Sequence, residues 1–144
     1  MADVKRTVKS TLEKDMIFKC DIENIRLKDW LIDETNKIPD DMVGPNAAHL
    51  LAMAILGCLN ASYIFCLNKR DFTVDQLNAK AEVTIFRNEK GFLRVKKIDV
   101  IINPKIDTPE MRKRADQCKK MFEKYCTITA SIREGIEVNV NIDY

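Results

Sequence analysis

The chain has 144 residues, 46% of them hydrophobic and 32% charged, with 24 basic residues set against 22 acidic ones. That length supports one domain, residues 1–144, with a substantial core, and the composition is globular rather than disordered. A net charge of +2 with both signs mixed along the sequence offers no basic face for nucleic acid.

The start of the chain, Met1-Ala2-Asp3-Val4-Lys5-Arg6, has none of the apolar run of a signal peptide. Period-two alternation at Met16, Phe18, Cys20 and Ile22 predicts a strand, and Ile25, Leu27 and the run Trp30-Leu31-Ile32 predict another. Residues 35–43, with Pro39 and two aspartates, read as a loop. A helix then opens at Gly44-Pro45-Asn46, where proline suits the first turn because its missing N–H has no partner to lose. It runs to about Asn68, roughly 35 Å at about 1.5 Å per residue. Apolar residues lie on every side of it, so another surface has to enclose it. His49, Asn60 and Ser62 interrupt the run and no aromatic belt flanks it, which favours a core helix over a membrane span.

Leu77, Ala79, Ala81, Val83 and Ile85 alternate with polar residues, and Asn88-Glu89-Lys90-Gly91 supplies the turn of a hairpin. The return strand changes phase between Val95 and Ile98, which predicts a β-bulge at Lys96-Lys97. Asp107-Thr108-Pro109-Glu110 starts a second helix, whose apolar stripe runs through Met111, Ala115, Cys118, Phe122 and Tyr125. The basic residues of this stretch, Arg112 to Arg114 with Lys119, Lys120 and Lys124, form a solvated face broken by Asp116 and Glu123. Helical turns follow residue 127 until Gly135. Ile136, Val138, Val140 and Ile142 then alternate with polar residues and predict a closing strand. The order of elements is that of an α+β fold.

Five cysteines without a signal sequence imply thiols in a reducing compartment, the cytoplasm, rather than a disulfide framework. Cys20 and Cys118 sit on apolar faces and read as core residues. Cys66 follows Cys58 on one helix at about 12 Å of rise, beyond the roughly 7 Å that a disulfide allows between Cα atoms. The same limit separates Cys118 from Cys126 while their helix is intact. Local geometry does not exclude a reaction between Cys58 and Cys126. His49 lies nine residues before Cys58 and on the opposite side of the helix, so it reads as a helix-start residue and not as a base. No CxxC or HxxxH spacing suggests a metal site, and nothing in the sequence calls for a cofactor.

The segment from Gly44-Pro45-Asn46 through the Ala- and Leu-rich helix to Cys58 resembles the OsmC/Ohr family of hydroperoxide reductases. The placement of Cys126, after a charged amphipathic helix and before Thr127-Ile128-Thr129 and a closing strand, is similar to that of the family's second cysteine. The resemblance implies antiparallel sheets around a long buried helix in an intertwined homodimer. It implies that Cys58 is the peroxidatic thiolate attacking an organic hydroperoxide or hydrogen peroxide. Cys126 is then the resolving thiol, and an external dithiol reduces the bridge.

The sequence also departs from the family pattern. Ala48 stands where the family places a glutamate near the helix start, and the preceding loop contains no arginine. A thiol among apolar residues needs a cation to ionise. Lys37, Arg26 or Lys28, from this chain or a partner, can supply it, and Asp40 or Asp41 can replace the glutamate. The alternative is a homodimer of the same fold that has lost turnover and acts as a redox sensor or binds an apolar ligand.

Overall fold

The computed structural model describes residues 3–37 and 41–144. Pro39 and Asp40 fall outside the described residues. The chain forms two compact units, Met1–Leu51 and Ala52–Tyr144, each considered by itself.

In the first unit, strands β1 (Val8–Lys14), β2 (Ile17–Ile22) and β3 (Trp30–Asp33) form an antiparallel sheet in that order. The sequence pattern did not reveal β1, because all seven of its residues are exposed. Ladder bonds to β2, from Val8 opposite Ile22 to Lys14 opposite Ile17, hold it in place of burial. Ile17 and Cys20 are the buried residues of β2, whereas Met16 lies in the turn before it and is half exposed. Cys20 is a free thiol in this core, as its strand position predicts.

The fully buried Asp33 ends β3 and organises the following loop. Its carboxylate accepts the Thr35 N–H at 2.9 Å, the Thr35 hydroxyl at 2.5 Å and the Val43 N–H at 3.1 Å. Hydrogen bonds from Thr35, with the charge of Lys37, hold its carboxyl below the usual carboxylate range against the opposing effect of burial. Gly44 is obligatory here, since a Cβ at this position would collide with the carbonyl of Leu31.

Helix α1 spans Ala47–Asn68. Asn46 and His49 cap its start reciprocally: Asn46 Oδ1 accepts the His49 N–H at 3.0 Å, and His49 Nδ1 accepts the Asn46 N–H at 3.2 Å. Glu34 Oε1 takes the Ala47 N–H at 2.6 Å. His49 is therefore occupied with the helix start. By length and composition α1 is apolar enough to cross a membrane, and a third of its most apolar window is buried. Its buried residues, Ile55, Leu59, Ser62, Tyr63, Cys66 and Leu67, form a single stripe, while Met53 and Phe65 remain about half exposed.

The second unit carries the hairpin of β4 (Leu77–Arg87) and β5 (Leu93–Pro104). Thr84 pairs with Lys97 and Ile85 with Val95, so Lys96 is the extra residue of the expected bulge. Helix α2 (Pro109–Lys119) starts with Pro109 in its first turn, and the Thr108 hydroxyl accepts the Met111 N–H at 3.2 Å. A 3-10 turn (Phe122–Tyr125) leads into helix α3 (Thr127–Glu134), which ends at Gly135 with φ 84°. The core joins Tyr63, Cys66 and Leu67 of α1 to Ala115 and Cys118 of α2, with Phe72, Met121 and Phe122 packed around them.

Residues 136–142 correct one expectation. They form no strand, and Ile136, Val138, Val140 and Ile142 are 58–81% exposed. Alternation marks a face, but a strand also needs a hydrogen-bonding neighbour, and this segment has none among the described residues of its unit.

Candidate active site

Two pairs of sulfur atoms connect α1 to α2 and to the chain that follows it, and both lie in the second unit. The first pair is Cys58 with Cys126. Cys126 is completely buried at the N-cap of α3, where its Sγ accepts the Thr129 N–H at 3.5 Å. Its own N–H bonds to the Glu123 carbonyl at 3.1 Å, fixing the step from the 3-10 turn into α3. An ion pair from Arg133 to Glu123 at 2.5 Å closes the same corner. Edge-to-face contacts of Tyr63 with Phe122 at 5.2 Å and of Phe65 with Tyr125 at 5.6 Å hold the 3-10 turn on α1. Lys69 lies 4.8 Å above the Phe65 ring and 5.7 Å from that of Tyr125.

Cys58 is partly accessible, and both it and Cys126 are free thiols. The two thiols shift each other's acidity in opposite directions. Burial pushes Cys58 up, and its role as donor to Cys126 adds to that; the N–H groups of Ile128 and Thr127 oppose the shift. Burial also acts to raise Cys126, but the hydrogen bond from Cys58 and those from Thr129 and Ile128 outweigh it and bring Cys126 down. The Thr129 hydroxyl is buried and makes no close hydrogen bond, so it is available to the sulfur side of this turn. The thiol expected to be activated is therefore the weaker acid of the pair. The physical cause is its position: Cys58 lies in the middle of a helix, while Cys126 faces the unpaired amides of a helix start.

The second pair corrects the sequence reading. Cys66 and Cys118, expected as separate reduced core thiols, are joined by a disulfide with Cα atoms 5.9 Å apart. Both are essentially inaccessible. The spacing rule compares cysteines within one helix and carries no information on two helices packed together. Arg70 Nη1 lies 3.1 Å from Cys66 Sγ and 3.3 Å from its carbonyl oxygen, and Nη2 lies 3.2 Å from Met121 Sδ. Arg114 bonds to the Arg70 carbonyl.

Lys37 and Arg26, the candidate activating cations, are exposed residues of the first unit, as are Lys28 and Asp41. The charge of Lys37 acts on Asp33. Lys28 pairs with Asp21 at 3.7 Å. Among the described residues, no cation is one of the groups that set the acidity of Cys58. Thr129, Arg70 and the Cys66–Cys118 pair are the residues that sequence reasoning missed. The Thr-rich turn after Cys126 was visible, but which of its hydroxyls approaches the sulfur depends on the helical phase of α3.

The architecture defines a class: an α+β chain in which a long helix and a later helix start bring together two thiols from distant parts of the sequence. A family model described as OsmC-like protein matches residues 39–141, and the chain belongs to that family. Solved structures agree on the fold. The organic hydroperoxide resistance protein OhrB of Bacillus subtilis superposes with a TM-score of 0.69 at 14% identity, over 90% of this chain and 91% of that one. An OsmC-like protein of Mycoplasma pneumoniae gives 0.67 at 14% identity, over 99% and 98%. A hypothetical protein of Aquifex aeolicus gives 0.69 at 19% identity, over 92% and 89%. No curated protein matches the sequence.

Proposed function

We propose that the protein is a thiol-dependent hydroperoxide reductase in which Cys58 and Cys126 are the reacting residues. The observation that carries this reading is the pair of free thiols, Cys58 in α1 and Cys126 at the start of α3, that shift each other's acidity in opposite directions. Its membership of the OsmC-like family and its likeness in fold to proteins described as conferring organic hydroperoxide resistance support a peroxide as substrate.

Cys58, the accessible member, attacks the outer oxygen of the hydroperoxide. The O–O bond breaks, an alkoxide leaves and takes a proton to become the alcohol, and Cys58 becomes a sulfenic acid. Cys126, the more acidic thiol, attacks the Cys58 sulfur and displaces hydroxide. Two thiols lose two electrons and the peroxide gains them. An external dithiol then restores the pair. The Cys126 sulfur, whose acidity is linked to that of Cys58, is the acceptor for the proton that Cys58 must give up. A cation that stabilises the Cys58 thiolate, Lys37 or Arg26 of a partner chain, would speed the first step.

The working form is a homodimer in the cytoplasm. Ile85, Leu93 and Val95 of the hairpin and the apolar residues of 136–142 are exposed in the single chain, and a two-stranded hairpin is not stable by itself. Sedimentation should give about twice 16.6 kDa; a monomer at micromolar concentration would contradict the assembly.

The deciding experiment follows consumption of cumene hydroperoxide with dithiothreitol present. Wild type should turn over, Cys58→Ser should not, and Cys126→Ser should reduce one equivalent and stop at a sulfenic acid. The raised pKa of Cys58 and the alanine at position 48 favour a second reading, a redox sensor or apolar-ligand binder of the same fold. Loss of one equivalent of peroxide without turnover would favour it.

A further inference from the structure

We propose that Cys66 and Cys118 are a second redox couple, whose closure pins α1 to α2 and so sets Cys126 against Cys58. Two observations lead there. The bonded pair closes a loop of sequence separation 52 and lies at the centre of the core of its unit. The spacing is also matched: Cys66 follows Cys58 by eight residues on α1, and Cys126 follows Cys118 by eight. A bond at one pair thus fixes the frame in which the other pair meets. The aromatic contacts of Tyr63 and Phe65 lie between the two along α1.

Arg70 gives the couple its chemistry. The guanidinium reaches Cys66 Sγ and not that of Cys118, so opening the bond leaves the negative charge on Cys66, beside a cation. Closing reverses this with a hydroperoxide as oxidant. The Cys66 thiolate attacks the outer oxygen, an alkoxide leaves as alcohol after taking a proton, and Cys118 attacks the resulting sulfenic sulfur. Hydroxide leaves with the Cys118 proton as water. The sum is two thiols and one hydroperoxide giving a disulfide, an alcohol and water. Shielding of both sulfurs makes opening by an external dithiol slower than at Cys58 and Cys126.

The couple itself does not depend on the peroxidase reading; only its positioning role rests on that reading. The test equilibrates full-length protein across a series of reduced-to-oxidised dithiothreitol ratios, quenches with acid and maps alkylated peptides. Cys66 and Cys118 should change together, in a transition separate from that of Cys58 and Cys126. Stabilisation of the thiolate favours the open form, so Arg70→Met should move this midpoint about tenfold toward higher reductant, one unit of thiol pKa. Arg70→Lys should recover part of the shift, and the other midpoint should stay. Cys66 and Cys118 alkylated as free thiols at every ratio would overturn the couple. The double variant Cys66→Ala/Cys118→Ala should close its remaining pair about tenfold more slowly after one equivalent of cumene hydroperoxide. Closure at the wild-type rate would overturn the positioning role. If the double variant does not fold, wild type with the Cys66–Cys118 bond kept reduced serves for the same rate. A wild type whose Cys58 and Cys126 never bridge would refute the peroxidase reading, and the Arg70 shift would still decide the couple.

Discussion

The two cysteine pairs both start from α1, reach α2 and the start of α3 respectively, and are held by different forces. Cys66 and Cys118 are enclosed by Leu67, Tyr63 and Ala115, with an arginine at one sulfur. Cys58 and Cys126 rest on the amides of a helix start, and one of them is open to solvent. Packing without access produces a bond that persists. Access beside an acidified thiol is what the proposed reaction requires. Residue type is the same at all four positions, so the surroundings decide the chemistry.

The largest effect expected from separating these forces is on packing. Leu67 is 1% exposed beside Cys66, and Leu67→Ala should cost about 2–5 kcal/mol. Urea unfolding of the variant and wild type measures it. If the closed pair is held by its core, the Cys66–Cys118 bond should also become more accessible to dithiol. A loss well under 2 kcal/mol would mean that the core around this pair is looser than its burial implies.

Acidity separates the pairs next. Cys126 is lowered and Cys58 raised, so between their two pKa values the pair holds one proton and one negative charge. For Cys126 the folded state favours the thiolate, so its contribution to stability is present above the unfolded pKa and fades as pH falls through the folded one. For Cys58 the sign is opposite, and its contribution is lost as pH rises. Thiolate absorbance near 240 nm, followed against pH, should show one early step in wild type that Cys126→Ser removes. An early step lost instead in Cys58→Ser would reverse the assignment and restore Cys58 as the resting thiolate. A smaller effect, about 1 kcal/mol, is expected for Thr108→Ala, which uncaps the helix carrying Cys118 and should leave the Cys58 and Cys126 titration unchanged. Thermal unfolding and the same absorbance scan test both halves.

What the sequence made legible was local. Gly44-Pro45-Asn46 placed the start of α1, Thr108-Pro109 placed α2, and the phase change beyond Val95 placed the bulge at Lys96, because each follows from a rule that acts over a few residues. The family was legible for the same reason, since the spacing from Gly44 to Cys58 spans only a helix start and the helix that follows it. The Cys66–Cys118 bond was not, although Cys118 stood in a correctly read apolar stripe and Cys66 in a helix read as apolar on every side. Its existence depends on the rotation of α1 and α2 against each other, which neither stripe encodes. β1 stayed hidden because ladder bonds rather than burial hold it, and residues 136–142 showed a strand's alternation without a strand's partner.

Thr129 offers the finest probe of the difference between the pairs. Its backbone N–H reaches Cys126 Sγ at 3.5 Å, and its buried hydroxyl has no close partner. Thr129→Val keeps the amide, the volume and the β-branch, and removes only the hydroxyl. If that hydroxyl helps to hold the Cys126 thiolate, the variant should raise the early thiol pKa by less than about one unit, under about 1.4 kcal/mol of differential stabilisation. The rate of bridge formation at neutral pH should fall in proportion to the lost thiolate, and should recover at higher pH. Removing an unpartnered hydroxyl from the interior also relieves a desolvation cost, so the variant should unfold at the same temperature as wild type or slightly above it. An unchanged pKa together with raised stability would show that the amides of α3 alone set the acidity of Cys126. The hydroxyl would then be a buried polar group without a role at the sulfur.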